Sequence, residues 1–104
     1  MRQIDEAGWP SGETIPALIL GWSPHELGEK YGVTFNDFSD DLGVGVLAVV
    51  EFSNSMISGL IRYEGNPAGG TAVYVPRGME MQSSIEIILR DLGISKSELE
   101  WLRE

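Results

Sequence analysis

The residues that most resemble a ligand-binding loop are Gly65 to Gly70, within the stretch YEGNPAGGTAVYV that ends at Val75. A nucleotide-binding P-loop reads G-x-x-x-x-G-K-[ST], and its lysine reaches the terminal phosphates. In this chain Thr71 stands where that lysine belongs. A phosphate loop also opens into a helix, whose N-terminal amides hold the anion, whereas Thr71 begins the strand-like run TAVYV. The sequence therefore predicts a turn between two strands.

Three aspartates, Asp37, Asp40 and Asp41, carry the carboxylate oxygens that calcium and magnesium prefer. Their spacing, D-x-x-D-D, is not that of an EF-hand loop, and the sequence names no further ligand. The chain has no cysteine, which excludes thiolate metal sites and disulfides. We expect no metal and no cofactor, and we retain the three aspartates as candidate interaction residues on a solvated surface.

Catalysis has little support in the sequence. The only histidine, His25, falls at the second position of a predicted helix, whose positive N-terminal end disfavours an imidazolium. No G-x-S-x-G motif is present, and no serine stands in a setting that would activate it. The sequence favours a protein that is not an enzyme.

Two segments have the outline of a helix-turn-helix, residues 26–42 and residues 85–102. In a DNA-binding protein the second helix should be rich in lysine and arginine. The first segment has only acidic side chains in that helix, and the second is more acidic than basic. We therefore interpret both as helical corners that pack on a sheet, and we expect no nucleic-acid binding.

The elements that would position these residues begin with an N-terminal arm or loop, residues 1–16, followed by a short apolar run, residues 15–20. Ser23, followed by proline and by a glutamate at the capping-box position, predicts a helix start. Thr34 predicts a second short helix over roughly residues 35–41 by the same rule. Ser95 predicts a last short helix near the end of the chain.

Two β-branched, apolar runs, residues 44–52 and 56–63, predict a hairpin. With a two-residue loop at Asn54 and Ser55, the register keeps one face apolar and places Leu47, Val49 and Leu60 together on the other. That second face needs cover. We therefore predict a homodimer through Val49 and Leu60.

Residues 71–75 predict a third strand, and the apolar stripe from Met81 to Leu92 predicts an amphipathic helix that ends at Gly93. The fold class predicted is α+β, with a small antiparallel sheet packed against helices from both ends of the chain. The sheet has three strands, or four if residues 15–20 add an edge strand. We expect one domain over residues 1–104.

The charge is uneven along the 104 residues, whose net charge is −9. Residues 1–41 carry eight acidic and two basic side chains, residues 42–79 two of each, and residues 80–104 six acidic and three basic. Such a field repels nucleic acid and anionic lipid and attracts a basic partner. No apolar run reaches the length of a membrane span, and no signal-peptide stretch is seen, so we expect a cytoplasmic protein.

Trp9 lies in the predicted arm without apolar neighbours, which suits protein recognition, although packing against the chain's own core is the alternative. The function that the sequence favours is a small acidic protein-interaction module, of accessory or immunity-like type, that binds a basic protein. The alternative is a small-molecule-binding domain or an enzyme with a site near residues 65–70. The candidate interaction residues are Trp9, Asp37, Asp40, Asp41, Val49 and Leu60.

Overall fold

The structure is a computed structural model that describes residues 1–9, 13–65 and 70–103. Within these residues the chain forms seven antiparallel strands, two α-helices and two short 3-10 turns. The strands are β1 (Arg2–Gln3), β2 (Thr14–Leu20), β3 (Asn36–Asp40), β4 (Gly43–Glu51), β5 (Ile57–Tyr63), β6 (Thr71–Pro76) and β7 (Leu99–Leu102). The helices are α1 (Pro24–Tyr31) and α2 (Met81–Leu92), and the 3-10 turns are Glu6–Gly8 and Lys96–Glu98.

The predicted sheet of three or four strands with helices from both ends is wrong. All seven strands join one antiparallel sheet in the order β1-β4-β5-β6-β2-β7, and β3 pairs with the same edge of β4 as β1 does. The run at residues 15–20, predicted as an edge strand, lies inside the sheet between β6 and β7. The chain is therefore mainly a β-sheet protein.

Residues 35–41 were predicted as a helix, but most of them form β3. The local capping pattern favours a helix, but pairing with a neighbouring strand outweighs it. Each residue from Asn36 to Asp40 pairs with a residue of β4, and this pairing keeps the segment extended. Phe38 also reaches the ring of Tyr63, at 5.5 Å between ring centroids. The predicted last helix is limited to a 3-10 turn, at which the amide of Ser95 bonds Glu98, before β7 begins.

The two other helix predictions are confirmed. The backbone amide of Ser23 bonds the Glu26 carboxylate at 2.9 Å, and the Ser23 hydroxyl accepts from the Glu26 amide at 3.2 Å. This is the reciprocal capping box expected at a helix start. At the other end of the chain, α2 terminates at Gly93, which adopts the left-handed conformation at φ 70°.

The hairpin of β4 and β5 is confirmed, but its predicted register is wrong by one residue. The amide of Phe52 bonds the carbonyl of Met56 at 2.9 Å, so the loop has three residues rather than two. Ser55 closes this loop in the left-handed region at φ 68°, the geometry typical of three-residue hairpin loops. Consequently Leu60 faces Ala48, and Val49 faces Gly59.

That register gives the sheet two buried faces, which we call the helix-side core and the second-face core. The helix-side core joins the apolar stripe of α2 to residues of β2, β4, β5 and β6, and Leu60 belongs to it. The second-face core is built on Leu47, Val49 and Ile61. Val49 and Leu60 thus lie on opposite faces, and each is 0% exposed.

This burial corrects the predicted interaction role of Val49 and Leu60. The chain covers both side chains itself, so neither presents a surface to a second copy. The predicted homodimer loses the contact on which it was based.

The N-terminal arm, predicted as a loop, supplies much of the second-face cover. The amide of Ile4 bonds the carbonyl of Val49 at 2.9 Å, and the Gln3 side chain bonds the backbone of Thr34 through both its oxygen and its nitrogen. Trp9 lies over Gly59, where an added Cβ would stand 2.7 Å from the indole ring. A glycine in mid-strand is therefore required by the close approach of this ring.

Candidate functional site

The most exposed apolar side chains of the described residues stand at the connection between β3 and β4. Leu42 is 74% exposed and Val44 is 50% exposed. We call residues 40–44 the hairpin tip. Asp40 stabilises the conformation of the tip. Its carboxylate accepts a hydrogen bond from the Leu42 amide at 2.8 Å, and aspartate commonly forms local turns with such a bond.

Strand alternation distributes the three aspartates of the sequence prediction over both faces of the sheet. Asp37 pairs with Val46 and faces the helix side, whereas Asp40 pairs with Gly43 and faces the second face. Asp41 lies in the connecting loop. All three are exposed, and two grooves flank the hairpin that carries them.

The helix-side groove is an open depression of about 850 Å³. Its walls include Asp37 and Val44 from the hairpin, together with Arg62 and Gly65 from the end of β5. The Arg62 guanidinium donates to the carbonyl of Gly70 at 2.9 Å. This groove therefore borders the loop that the sequence singled out at residues 65–70.

That loop connects two antiparallel neighbours, β5 and β6, as expected of a turn between strands. Gly65 has a φ of 85°, which suits a turn and which glycine adopts without strain. Residues 66–69, which carry most of the glycine-rich pattern, lie outside the described residues.

On the second face, a cleft of about 430 Å³ lies beneath the hairpin tip. We call it the aromatic cleft, because Trp9, Tyr63 and Tyr74 line it together with Asp40 and Asp41. The Tyr63 hydroxyl donates to the Asp40 carboxylate at 2.7 Å. The candidate interaction residue Trp9 is thus half-buried, packed on the sheet on one side and lining this cleft on the other.

The two tyrosines of the cleft are held in their neutral form. Burial raises the pKa of Tyr63 well above its usual value, and the hydrogen bond to Asp40 raises it further. Burial also raises the pKa of Tyr74, to which the charge of Asp40 adds, against a lowering by the hydrogen bond with Tyr63. The phenol rings therefore contribute apolar faces and no charge, while the carboxylates make the cleft acidic.

No metal centre is found in the described part of the chain, which contains no group of three or more histidine, aspartate or glutamate residues able to hold an ion. His25 pairs with Glu29 at 3.0 Å on the exposed side of α1. Neither described α-helix is long and apolar enough to cross a bilayer.

Sequence reasoning missed four of the residues that shape this site, Leu42, Val44, Tyr63 and Tyr74. The signal that would have found them is the hairpin register, since only the observed pairing places Tyr63 with Trp9 on the second face. The exposed tip was also missed, because residues 35–41 were assigned to a helix and not to a strand paired with β4.

Comparison with family models, with curated proteins and with solved structures found no match.

Proposed function

We propose that this chain is an acidic protein-interaction module that binds a basic protein through the hairpin tip. The observation that carries the proposal is the exposure of Leu42 and Val44 beside Asp40 and Asp41. In protein interfaces, apolar side chains are buried at the centre of the contact and a polar rim surrounds them. At the tip, Leu42 lies with Asp40 and Asp41 along the aromatic cleft, whereas Val44 lies on the helix side in the wall of the other groove, so the tip offers an apolar side chain on each side of the hairpin.

The net charge of −9 supports a basic partner. Charge of one sign accelerates the encounter with a protein of the opposite sign, and this acceleration weakens as salt screens the field. A cytoplasmic location is part of the proposal and rests on the lack of cysteine in the sequence.

Quantitative affinity capture tests the proposal. The immobilised wild type is compared with the double variant Leu42→Ser, Val44→Ser and with the control Met79→Ser, which alters another exposed apolar side chain, 41% exposed. We expect a basic protein whose recovery falls with the tip variant, stays constant with the control, and decreases as salt is raised. Equal recovery of every captured protein on the tip variant and the wild type would refute the proposal.

The alternative function is small-molecule binding or catalysis in the helix-side groove. Its volume of about 850 Å³ lies in the range of ligand pockets, and Arg62 and Glu64 supply polar groups in its walls. Leu42 is not among the residues lining this groove. A ligand that raises the melting temperature of wild type and Leu42→Ser equally would favour this alternative.

A further inference from the structure

The aromatic cleft beneath the hairpin tip combines aromatic rings with carboxylates. Trp9, Tyr63 and Tyr74 provide three aromatic rings, and Asp40 and Asp41 provide two carboxylates, around a space of about 430 Å³. From this combination we infer that the cleft binds a lysine side chain of the basic partner. The inference rests on the proposed function and specifies what the partner presents there.

The rings are held in place by the sheet. Gly59 pairs with Tyr74 on the neighbouring strand, and the Trp9 indole lies directly over Gly59. Tyr63 is fixed by its hydrogen bond to Asp40 at 2.7 Å and by its contact with Phe38. The walls are therefore formed before any ligand arrives, which reduces the entropy lost on binding.

Aromatic rings and carboxylates attract a cation by two different mechanisms. The negative face of each ring attracts an ammonium group, most strongly in the case of tryptophan. The four methylene groups of lysine can lie along the same rings while its charged end reaches a carboxylate. Since Tyr63 and Tyr74 stay neutral, they act on a cation through apolar contact and their ring faces and not through a phenolate charge.

At Asp40, the existing hydrogen bonds favour a lysine over a bidentate arginine. One Asp40 oxygen accepts from the Leu42 amide at 2.8 Å, and the other accepts from the Tyr63 hydroxyl at 2.7 Å. An arginine binds a carboxylate best through two parallel hydrogen bonds to both oxygens. A compact ammonium needs only single lone pairs, which Asp40 and Asp41 can share.

The test is a ¹⁵N nuclear magnetic resonance titration with Nα-acetyl-lysine-methylamide in the millimolar range. We expect its largest shift at the indole N–H of Trp9, which is identified by its loss in Trp9→Phe. Acetylation of the lysine Nε removes the charge, and this compound should give no such shift. Asp41→Asn should weaken binding about threefold, as expected for one exposed charge pair.

Asp37→Asn is the matched control. This substitution removes the same charge from the same hairpin, but the Asp37 side chain faces the helix side. It should bind the lysine compound as the wild type does. Equal weakening by both variants, an equal shift with the Nε-acetylated compound, or a larger shift with the matching arginine compound would overturn the inference. Leu42 also lines this cleft, whereas Val44 lines only the helix-side groove. A loss of capture by Val44→Ser alone would therefore remain valid after such a result, so the two proposals can fail separately.

Discussion

One added methyl group at Gly59 tests whether the N-terminal arm is part of the fold. A Cβ there would lie 2.7, 2.9 and 3.0 Å from three atoms of the Trp9 ring, against 3.4–4 Å for ordinary contact. Forcing a group into a packed contact costs about 1–3 kcal/mol. The Gly59 backbone is outside the left-handed region, so alanine also gains about 0.4–1 kcal/mol by restricting the unfolded chain.

The expected net effect of Gly59→Ala is a loss of about 1–2 kcal/mol, or about 5–9 °C in melting temperature for a domain of this size. In a Trp9→Ala background the ring is gone, so the same change should instead stabilise by about 0.4–1 kcal/mol. Urea unfolding of the four proteins, followed by circular dichroism, measures both values. If Gly59→Ala has the same sign and size in both backgrounds, Trp9 does not pack on Gly59 and the reasoning fails.

Three further predictions concern buried or partly buried groups. Val49→Asp and Leu60→Asp should each abolish the folded circular dichroism spectrum, because both bury an unpaired carboxylate; a folded monomer in either case would contradict this. The Ser58 hydroxyl is buried without a hydrogen-bond partner among the described residues, so Ser58→Ala should stabilise by about 1 kcal/mol in urea unfolding, and a loss would show that the hydroxyl is bonded. Burial alone would raise the pKa of Asp91, but hydrogen bonding from Ser53 lowers it overall. Asp91→Asn should therefore destabilise above the unfolded pKa of about 4, and the difference should vanish as pH falls through the lower folded pKa; a constant difference in urea unfolding from pH 7 to pH 2 would refute this.

The sequence identified those elements whose signals are local. The capping box at Ser23 and the apolar stripe of α2 predict both helices, and β-branched runs predict β4, β5 and β6. Strands β3 and β7 lack such runs, and only pairing with a distant strand makes them extended. Local patterns cannot contain that information.

The hairpin register depended on Ser55, which adopts a left-handed backbone that glycine or asparagine would have indicated. The resulting three-residue loop shifts the register by one residue and places Val49 and Leu60 on opposite faces. For the site, charge alone selected Asp37, Asp40 and Asp41, whose interaction role stays a prediction. The packing of Trp9 on Gly59 could not be predicted from local sequence patterns, because this contact joins distant parts of the chain.

The position of β2 has a consequence for how the protein is made. This strand emerges from the ribosome early, yet its two neighbours, β6 and β7, are among the last strands synthesised. Until then the nascent chain carries an apolar strand with both edges unpaired, a state that invites association with other chains. The consecutive strands β3 to β6 can form as local hairpins first, whereas the insertion of β2 requires closing a long loop and should set the folding rate.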